Sequence, residues 1–105
     1  MRTLNFVVFG KNEEILLTLK RIIETTPAWK TTVQQQLSSC KNYLSAHPVD
    51  ILLLSSGLSA EEERDIIDHL SHLNYPIGLI QHYGGGSGLL KNEVFSLFPD
   101  LTQEH

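Results

Sequence analysis

The fold of this chain is decided by one stretch, VDILLLSSGLS, which spans Val49–Ser59. Its apolar run, Ile51–Leu54, is too short for a helix and is bounded by a proline and a glycine. Such a run predicts a strand that is buried on both faces at the centre of a parallel sheet. Ligand sites of open α/β sheets lie beyond the carboxyl ends of the strands, so we expect any functional site to begin at Ser55 and Ser56.

Length and composition predict a single domain over residues 1–105. The net charge is −4 and the basic residues form no cluster, which argues against a nucleic-acid partner. No apolar run approaches the roughly 20 residues that cross a bilayer, and no signal peptide is evident, so we expect no membrane association. The single Cys40 excludes an internal disulfide. A cytoplasmic protein with a buried structural thiol is therefore expected.

The chain alternates between strand patterns and helix patterns four times. The strands are expected at Leu4–Phe9, Trp29–Val33, Ile51–Leu54 and Ile77–Ile80. The helices are expected from the cap Asn12 to about Thr25, over Gln34–Ala46, from Ser59 to about Leu73, and from Ser87 to about Leu101. This rhythm predicts right-handed crossovers and a parallel sheet, with the polar second strand at an edge.

Local signals indicate where the helices begin and which faces they bury. Ser59 is a suitable N-cap, and Glu62 three residues later completes a capping box. The run Glu61–Glu63 is interpreted as a solvated first turn that the helix dipole favours. Apolar residues at helical spacing give the first helix its inner face: Ile15, Leu16, Leu19, Ile22 and Ile23.

Most of the chain, from Leu4 to about Ile80, resembles the receiver domain of two-component response regulators. Three segments carry the resemblance: Val7–Leu16, His47–Ser55 and Pro76–His82. The resemblance implies a flavodoxin-like three-layer α/β sandwich with a parallel sheet of about four strands in the order 2-1-3-4. Compared with the family, we expect this chain to lack the usual fifth βα unit.

The positions of the family's phosphorylation site carry other residues here. Gly10 and Lys11 stand where the family has two carboxylates that hold Mg²⁺. Ser55 stands in place of the phosphoacceptor aspartate, and Gln81 in place of a small hydroxyl residue. Asp50 does not compensate, because it begins its strand at the opposite edge. We therefore expect no Mg²⁺-dependent aspartyl phosphorylation, no catalytic residues, no cofactor and no enzymatic activity.

A second interpretation is a pocket for phosphate or a carboxylate at the same edge. Its candidate residues are Lys11, Ser55, His82, Gly84, Gly85, Gly86, Ser87 and Gly88. Cationic side chains and the backbone N–H groups of a glycine loop before a helix suit an anion. The loop lacks the lysine of a phosphate-binding loop, so a plain turn before the last helix is the alternative.

Two further sites are weaker candidates. His69 and His72 lie one helical turn apart, a spacing that suits a metal, but no third ligand is evident and surface histidines are favoured. Ser55 as a nucleophile would need a base and an orienting carboxylate, and only His82 is a conceivable base. We expect neither a metal site nor nucleophilic catalysis.

The fourth strand should be apolar on both faces and lie at an open edge, which proteins normally cover. The last helix, a second copy of the chain or a strand from a partner would each cover it. We favour a homodimer through strand four, the glycine loop and the last helix. The predicted function is a phosphorylation-independent pseudo-receiver that acts by protein interaction; the alternative is a small-anion sensor.

Overall fold

The computed structural model describes residues 3–55 and 57–81. Its strands are β1 (Leu4–Phe9), β2 (Trp29–Gln34), β3 (Ile51–Leu54) and β4 (Gly78–Gln81). Its helices are α1 (Glu13–Glu24), α2 (Leu37–Ala46) and α3 (Ala60–Leu70). The predicted glycine loop, the helix after it and the question of a fifth strand lie outside the described residues.

All four strands form one parallel sheet in the order β2-β1-β3-β4, as the sequence predicted. The pairing places the carboxyl ends of the strands side by side. Phe9 lies between Gln34 and Leu54, and Leu54 in turn faces Gln81. This row of strand ends positions the candidate site.

Helices pack on both faces of the sheet, which confirms the three-layer, flavodoxin-like α/β arrangement. Alternate residues of β1 and β3 point to opposite faces, because side chains of a strand alternate with a period of two. The α1 face buries Phe6, Val8, Leu16, Leu19, Ile23, Ile51 and Leu53. The α2–α3 face buries Val7, Phe9, Cys40, Leu44, Leu52, Leu54 and Ile66. All four residues of β3 are fully buried, as expected for the central strand.

Trp29 and Cys40 both belong to the core. The Trp29 ring packs on Phe6 with 5.3 Å between ring centroids, at the margin of the sheet. Cys40 is fully buried, and burial raises the pKa of its thiol to about 12. Cys40 is therefore a buried thiol, as predicted, and Trp29 is a core residue at the edge of the sheet.

The predicted start of the second helix at Gln34 is wrong. Gln34 ends β2, where it pairs with Phe9 and its carbonyl accepts the Gly10 N–H at 3.2 Å. A backbone group held by the sheet ladder is not available to a helix. The helix α2 therefore begins at Leu37, after the N-cap Gln36.

The ends of α3 and β4 also differ from expectation. The helix ends at Leu70, because a turn replaces the predicted last residues before Leu73. The strand β4 runs from Gly78, and its first half is only half-buried, whereas Ile80 is buried. The expectation that β4 is buried like β3 is wrong because β4 pairs with one strand, β3, in the described part of the sheet.

One position of α1 was assigned to the wrong face. Ile15 is 38% exposed, although Leu16, Leu19 and Ile23 are buried against the sheet. Successive helical residues are about 100° apart, so Ile15 lies just beyond the buried stripe. None of the three described helices is long and apolar enough to cross a membrane.

Candidate functional site

The carboxyl edge of the sheet holds four of the residues singled out from the sequence. Gly10 and Lys11 follow β1, Ser55 follows β3, and Gln81 ends β4. Gly10 and Ser55 are buried, whereas Lys11 and Gln81 are exposed. The other candidates for anion binding lie outside the described residues: His82, Gly84, Gly85, Gly86, Ser87 and Gly88.

Lys11 is the most connected side chain at this edge. Its Nζ donates a hydrogen bond to the Gln35 carbonyl at 2.8 Å and lies 2.8 Å from Glu62 Oε2. The same nitrogen lies 5.9 Å from the centroid of the Phe9 ring. We call Lys11, Gln35 and Glu62 the Lys11 junction. It joins the end of β1 to the β2–α2 loop and to the first turn of α3.

Glu62 uses its two carboxylate oxygens for different purposes. Oε1 accepts the Ser59 N–H at 3.0 Å, and Ser59 Oγ accepts the Glu62 N–H at 3.1 Å, so the predicted capping box forms. Oε2 pairs with Lys11. The hydrogen bond from Lys11, followed by the one from the Ser59 backbone, holds the pKa of Glu62 below its ordinary value. The predicted capping box is confirmed, and Glu62 also pairs with Lys11, which the interpretation of Glu61–Glu63 as a solvated first turn did not include.

Sequence reasoning identified Lys11 and Glu62 separately but missed their pairing, and it missed Gln35 entirely. A signal for the pair does exist. A capping box uses one oxygen of its glutamate, so the other oxygen is available to a cation at the end of a neighbouring strand. No comparable signal marks Gln35, since its contribution is a backbone carbonyl.

Gly57 lets the β3–α3 loop approach Lys11 closely. Its φ is +93°, in the region that favours glycine, and a Cβ there would lie 3.1 Å from Lys11 Cβ. A larger residue would therefore meet both backbone strain and a crowded neighbour. The absence of a side chain at Gly57 thus allows the loop to pack against the aliphatic part of the Lys11 side chain.

Ser55 lies beneath the surface of this edge. Its side chain is 1% exposed, and its N–H donates to the Phe9 carbonyl at 2.8 Å. Its buried Oγ has no hydrogen-bond partner among the described residues. A hydroxyl in this position is shielded from external substrates, and the described residues give it no base.

Asp50 lies at the opposite end of β3, as expected. Its Oδ2 accepts the Asn5 N–H at 2.8 Å, and its own N–H donates to the Asn5 carbonyl at 2.8 Å. Its carbonyl accepts the Gly78 N–H at 2.9 Å. Asp50 thus links β1, β3 and β4 at the amino edge and is distant from the Lys11 junction.

The two histidines of the third helical segment have separate partners. His69 Nε2 lies 3.0 Å from Ser45 Oγ on α2. His72 Nδ1 lies 2.9 Å from the carbonyl oxygen of Asp68. Residues 3–55 and 57–81 contain no group of three or more metal-ligating side chains that would hold an ion.

Comparisons with known proteins identify the fold. No protein-family model and no curated protein matches the chain. Among solved structures, the chain is similar to one in the crystal structure of the phosphorylated P1 domain of CheA3 in complex with CheY6 from R. sphaeroides. The match has a TM-score of 0.60 and 20% sequence identity, and covers 90% of this chain and 96% of that chain. At this identity the likeness extends to the α/β fold and not to residue roles.

Proposed function

We propose that this chain is a receiver-like protein-interaction module in signalling, and that it works without enzymatic activity or phosphorylation. The observation that carries the proposal is the Lys11 junction. At the edge where a receiver would bind Mg²⁺ and phosphate, Lys11 Nζ lies 2.8 Å from both Glu62 Oε2 and the Gln35 carbonyl oxygen. A built-in ammonium group thus links the loops that a metal ion would otherwise organise.

Ligand chemistry argues against a metal-dependent switch at this edge. Carboxylate oxygens are the protein ligands that usually hold Mg²⁺, and none of Gly10, Lys11 and Ser55 carries a carboxylate. Glu62, the nearest carboxylate of the junction, is already engaged by Lys11 and by the Ser59 N–H. Because Ser55 is buried and is not a carboxylate, a phosphoacceptor is lacking as well.

The proposed partner is a protein, and in the first place a second copy of this chain. The solved structure of similar fold is a complex of two proteins, the P1 domain of CheA3 and CheY6. We place the contact at β4 and the predicted last helix, since β4 pairs only with β3 among the described strands and its first half is only half-buried. With one cysteine, which is buried as a free thiol, the chain suits the cytoplasm.

The small-anion sensor is the alternative, and the observation that favours it is the buried Ser55 Oγ, which has no hydrogen-bond partner within residues 3–55 and 57–81. The pairing of Lys11 with Glu62 argues against it, because the cation expected to attract the anion is already neutralised. Titration with inorganic phosphate, followed through the amide NMR signals of Gly10, Lys11 and Gln81, separates the two. Saturable shifts in the low millimolar range favour the sensor.

Incubation with acetyl phosphate and Mg²⁺, followed by intact-protein mass spectrometry, tests the proposal that the chain is not phosphorylated. We expect no gain of a phosphoryl group by the wild-type chain. Stoichiometric phosphorylation that disappears in a Ser55→Ala variant would contradict the proposal. The Ser55→Ala variant, measured in the same way, serves as the control for modification elsewhere on the chain.

Sedimentation velocity tests the homodimer. We expect the wild-type chain to sediment as a dimer at micromolar concentration, and a Gln81→Arg variant to dissociate more readily, because the exposed Gln81 ends β4. A monomer over the whole range would refute the homodimer. Equal dimerisation of wild type and Gln81→Arg would place the contact away from the end of β4.

A further inference from the structure

The strand β2 forms the other edge of the described sheet, and side chains of α1 bind its outward backbone groups. On its inner side, the carbonyls of Ala28 and Gln34 accept hydrogen bonds from the N–H groups of Leu4, in β1, and Gly10, which follows β1. Backbone groups of a strand in a parallel pair alternate between its two sides. The N–H and C=O groups of residues 29, 31 and 33 therefore point away from β1, with Thr31 in the middle.

Two side chains of α1 occupy both outward groups of Thr31. The Thr31 N–H donates to Glu24 Oε2 at 2.9 Å, and Lys20 Nζ donates to the Thr31 carbonyl at 3.2 Å. Lys20 and Glu24 lie one helical turn apart and pair with each other at 2.8 Å. Together they reproduce, with side chains, the donor and acceptor that a neighbouring strand would offer.

We propose that Lys20 and Glu24 form an edge guard, which closes β2 to strand addition by a second copy of this chain. An outer strand with free backbone groups is a template for pairing with another chain. A strand added beside β2 would need the Thr31 groups at the centre of its ladder. The guard holds both of them, so pairing requires that the Lys20–Glu24 contact first be broken.

The sequence of β2 makes such a guard necessary. Its residues, Trp-Lys-Thr-Thr-Val-Gln, include four β-branched or aromatic side chains of high strand propensity and one charge. The occupant we assign to an unguarded edge is a second β2, because a two-fold axis would pair the same strand from two copies. The propensity that builds the strand would also favour this pairing.

The ion pair is too exposed for stabilisation to be its main role. The side chains of Lys20 and Glu24 are 39% and 36% exposed. Solvent-exposed pairs contribute little to folding. The hydrogen bond from Lys20, with a further one from the Thr31 N–H, holds the pKa of Glu24 below its ordinary value despite some desolvation. Glu24 is therefore an anionic acceptor at neutral pH.

Self-association of a guardless variant tests the inference. We expect Lys20→Ala/Glu24→Ala to form larger species than wild type by sedimentation velocity at about 100 μM. The matched control is Lys41→Ala/Asp65→Ala, which removes a 3.0 Å pair between α2 and α3 that touches no strand. Identical sedimentation of the guardless and control variants would overturn the inference.

A third substitution tests the route of association. Thr31→Pro, added to the guardless variant, removes the central N–H and should return the species to the wild-type size. Continued association of a folded triple variant would overturn pairing through β2. Thermal melts followed by circular dichroism establish that each variant is folded.

Amide hydrogen exchange tests the guard without relying on association. In wild type the Thr31 amide should be protected, and in a Glu24→Ala variant it should exchange about tenfold faster or more, since a hydrogen bond to a charged group is lost. Asp65→Ala is the control. Equal Thr31 exchange in Glu24→Ala and Asp65→Ala would overturn the inference even if the double variant does not fold.

Discussion

Two lysine–glutamate pairs of the same length serve different ends of the molecule. Lys11–Glu62 and Lys20–Glu24 both measure 2.8 Å and both lie in contact with solvent. The first bridges the end of β1 and the first turn of α3, which are distant in sequence. The second spans one turn of α1 and reaches the backbone of Thr31. The chemistry of the pairs is the same, and the backbone that each one holds is different.

The structural role of an exposed ion pair depends on the additional hydrogen bonds that its two side chains make. The attraction of such a pair contributes about 0–1 kcal/mol to folding. The Lys11 junction gains its importance from the Gln35 carbonyl and from the capping box of α3. The Lys20–Glu24 pair gains its importance from the two outward groups of a strand edge.

The largest effect on stability is expected from a substitution in the β3–α3 loop, which packs against Lys11 of the Lys11 junction. Gly57→Ala should lower the free energy of unfolding by about 1–3 kcal/mol, because a residue with a Cβ is strained at φ +93° and would lie 3.1 Å from Lys11 Cβ. Urea unfolding measures the loss. Gly57→Asn is the matched control, since asparagine tolerates positive φ and should cost less. A fully stable Gly57→Ala would contradict the close approach.

A smaller effect is expected from removing either lysine. Lys11→Met and Lys20→Met should each lower the free energy of unfolding by less than about 1 kcal/mol. Their structural effects should differ: the first should shift the amide NMR signals of Gln35 and Ser59, and the second that of Thr31. A double-mutant cycle of Lys11→Met with Glu62→Gln should give a coupling of about 0.2–1 kcal/mol. Identical shift patterns for the two variants would contradict the conclusion that the two lysines hold different parts of the backbone.

The smallest effect is expected from pH. Glu62 and Glu24 have lowered pKa values in the folded chain, each chiefly through the hydrogen bond from its lysine. Their contribution to stability is therefore complete above the ordinary glutamate pKa of about 4.3 and is lost as the pH falls through the lowered values. Urea unfolding between about pH 7 and 3 should be less pH-dependent in Glu62→Gln than in wild type. An unchanged pH profile would show that the Lys11–Glu62 pair does not form.

Much of the fold follows from local sequence signals. The apolar run of β3, the strand β1 and the capping box at Ser59 each appear where predicted, because one dominant local force determines each of them. Gln34 is the counterexample. Glutamine is a good helix former, but the pairing of Gln34 with Phe9 places it in β2. Such tertiary hydrogen bonds leave no periodic pattern in the sequence.

The location of the candidate site at the carboxyl edge could be predicted from the sequence, but the contacts between its side chains could not. Parallel topology alone brings Lys11, Ser55 and Gln81 to one edge. The partners of Lys11, Glu62 and the Gln35 carbonyl, depend on the direction of a long, flexible side chain, which no local sequence pattern encodes. The junction with Glu62, and the Ser55 hydroxyl without a hydrogen-bond partner in the described part of the chain, therefore required the three-dimensional structure.

We propose that Lys11 holds the carboxyl edge of the sheet and that no metal ion switches it. Titration of the isotope-labelled chain with Mg²⁺, followed through the amide NMR signals of Gly10, Lys11 and Ser55, tests it most directly. We expect no saturable shift of these signals up to about 10 mM Mg²⁺, because Gly10, Lys11 and Ser55 offer no carboxylate ligand and Glu62 is already engaged by Lys11. Saturable shifts of these three amides at low millimolar Mg²⁺, absent from a Glu62→Gln variant, would contradict it.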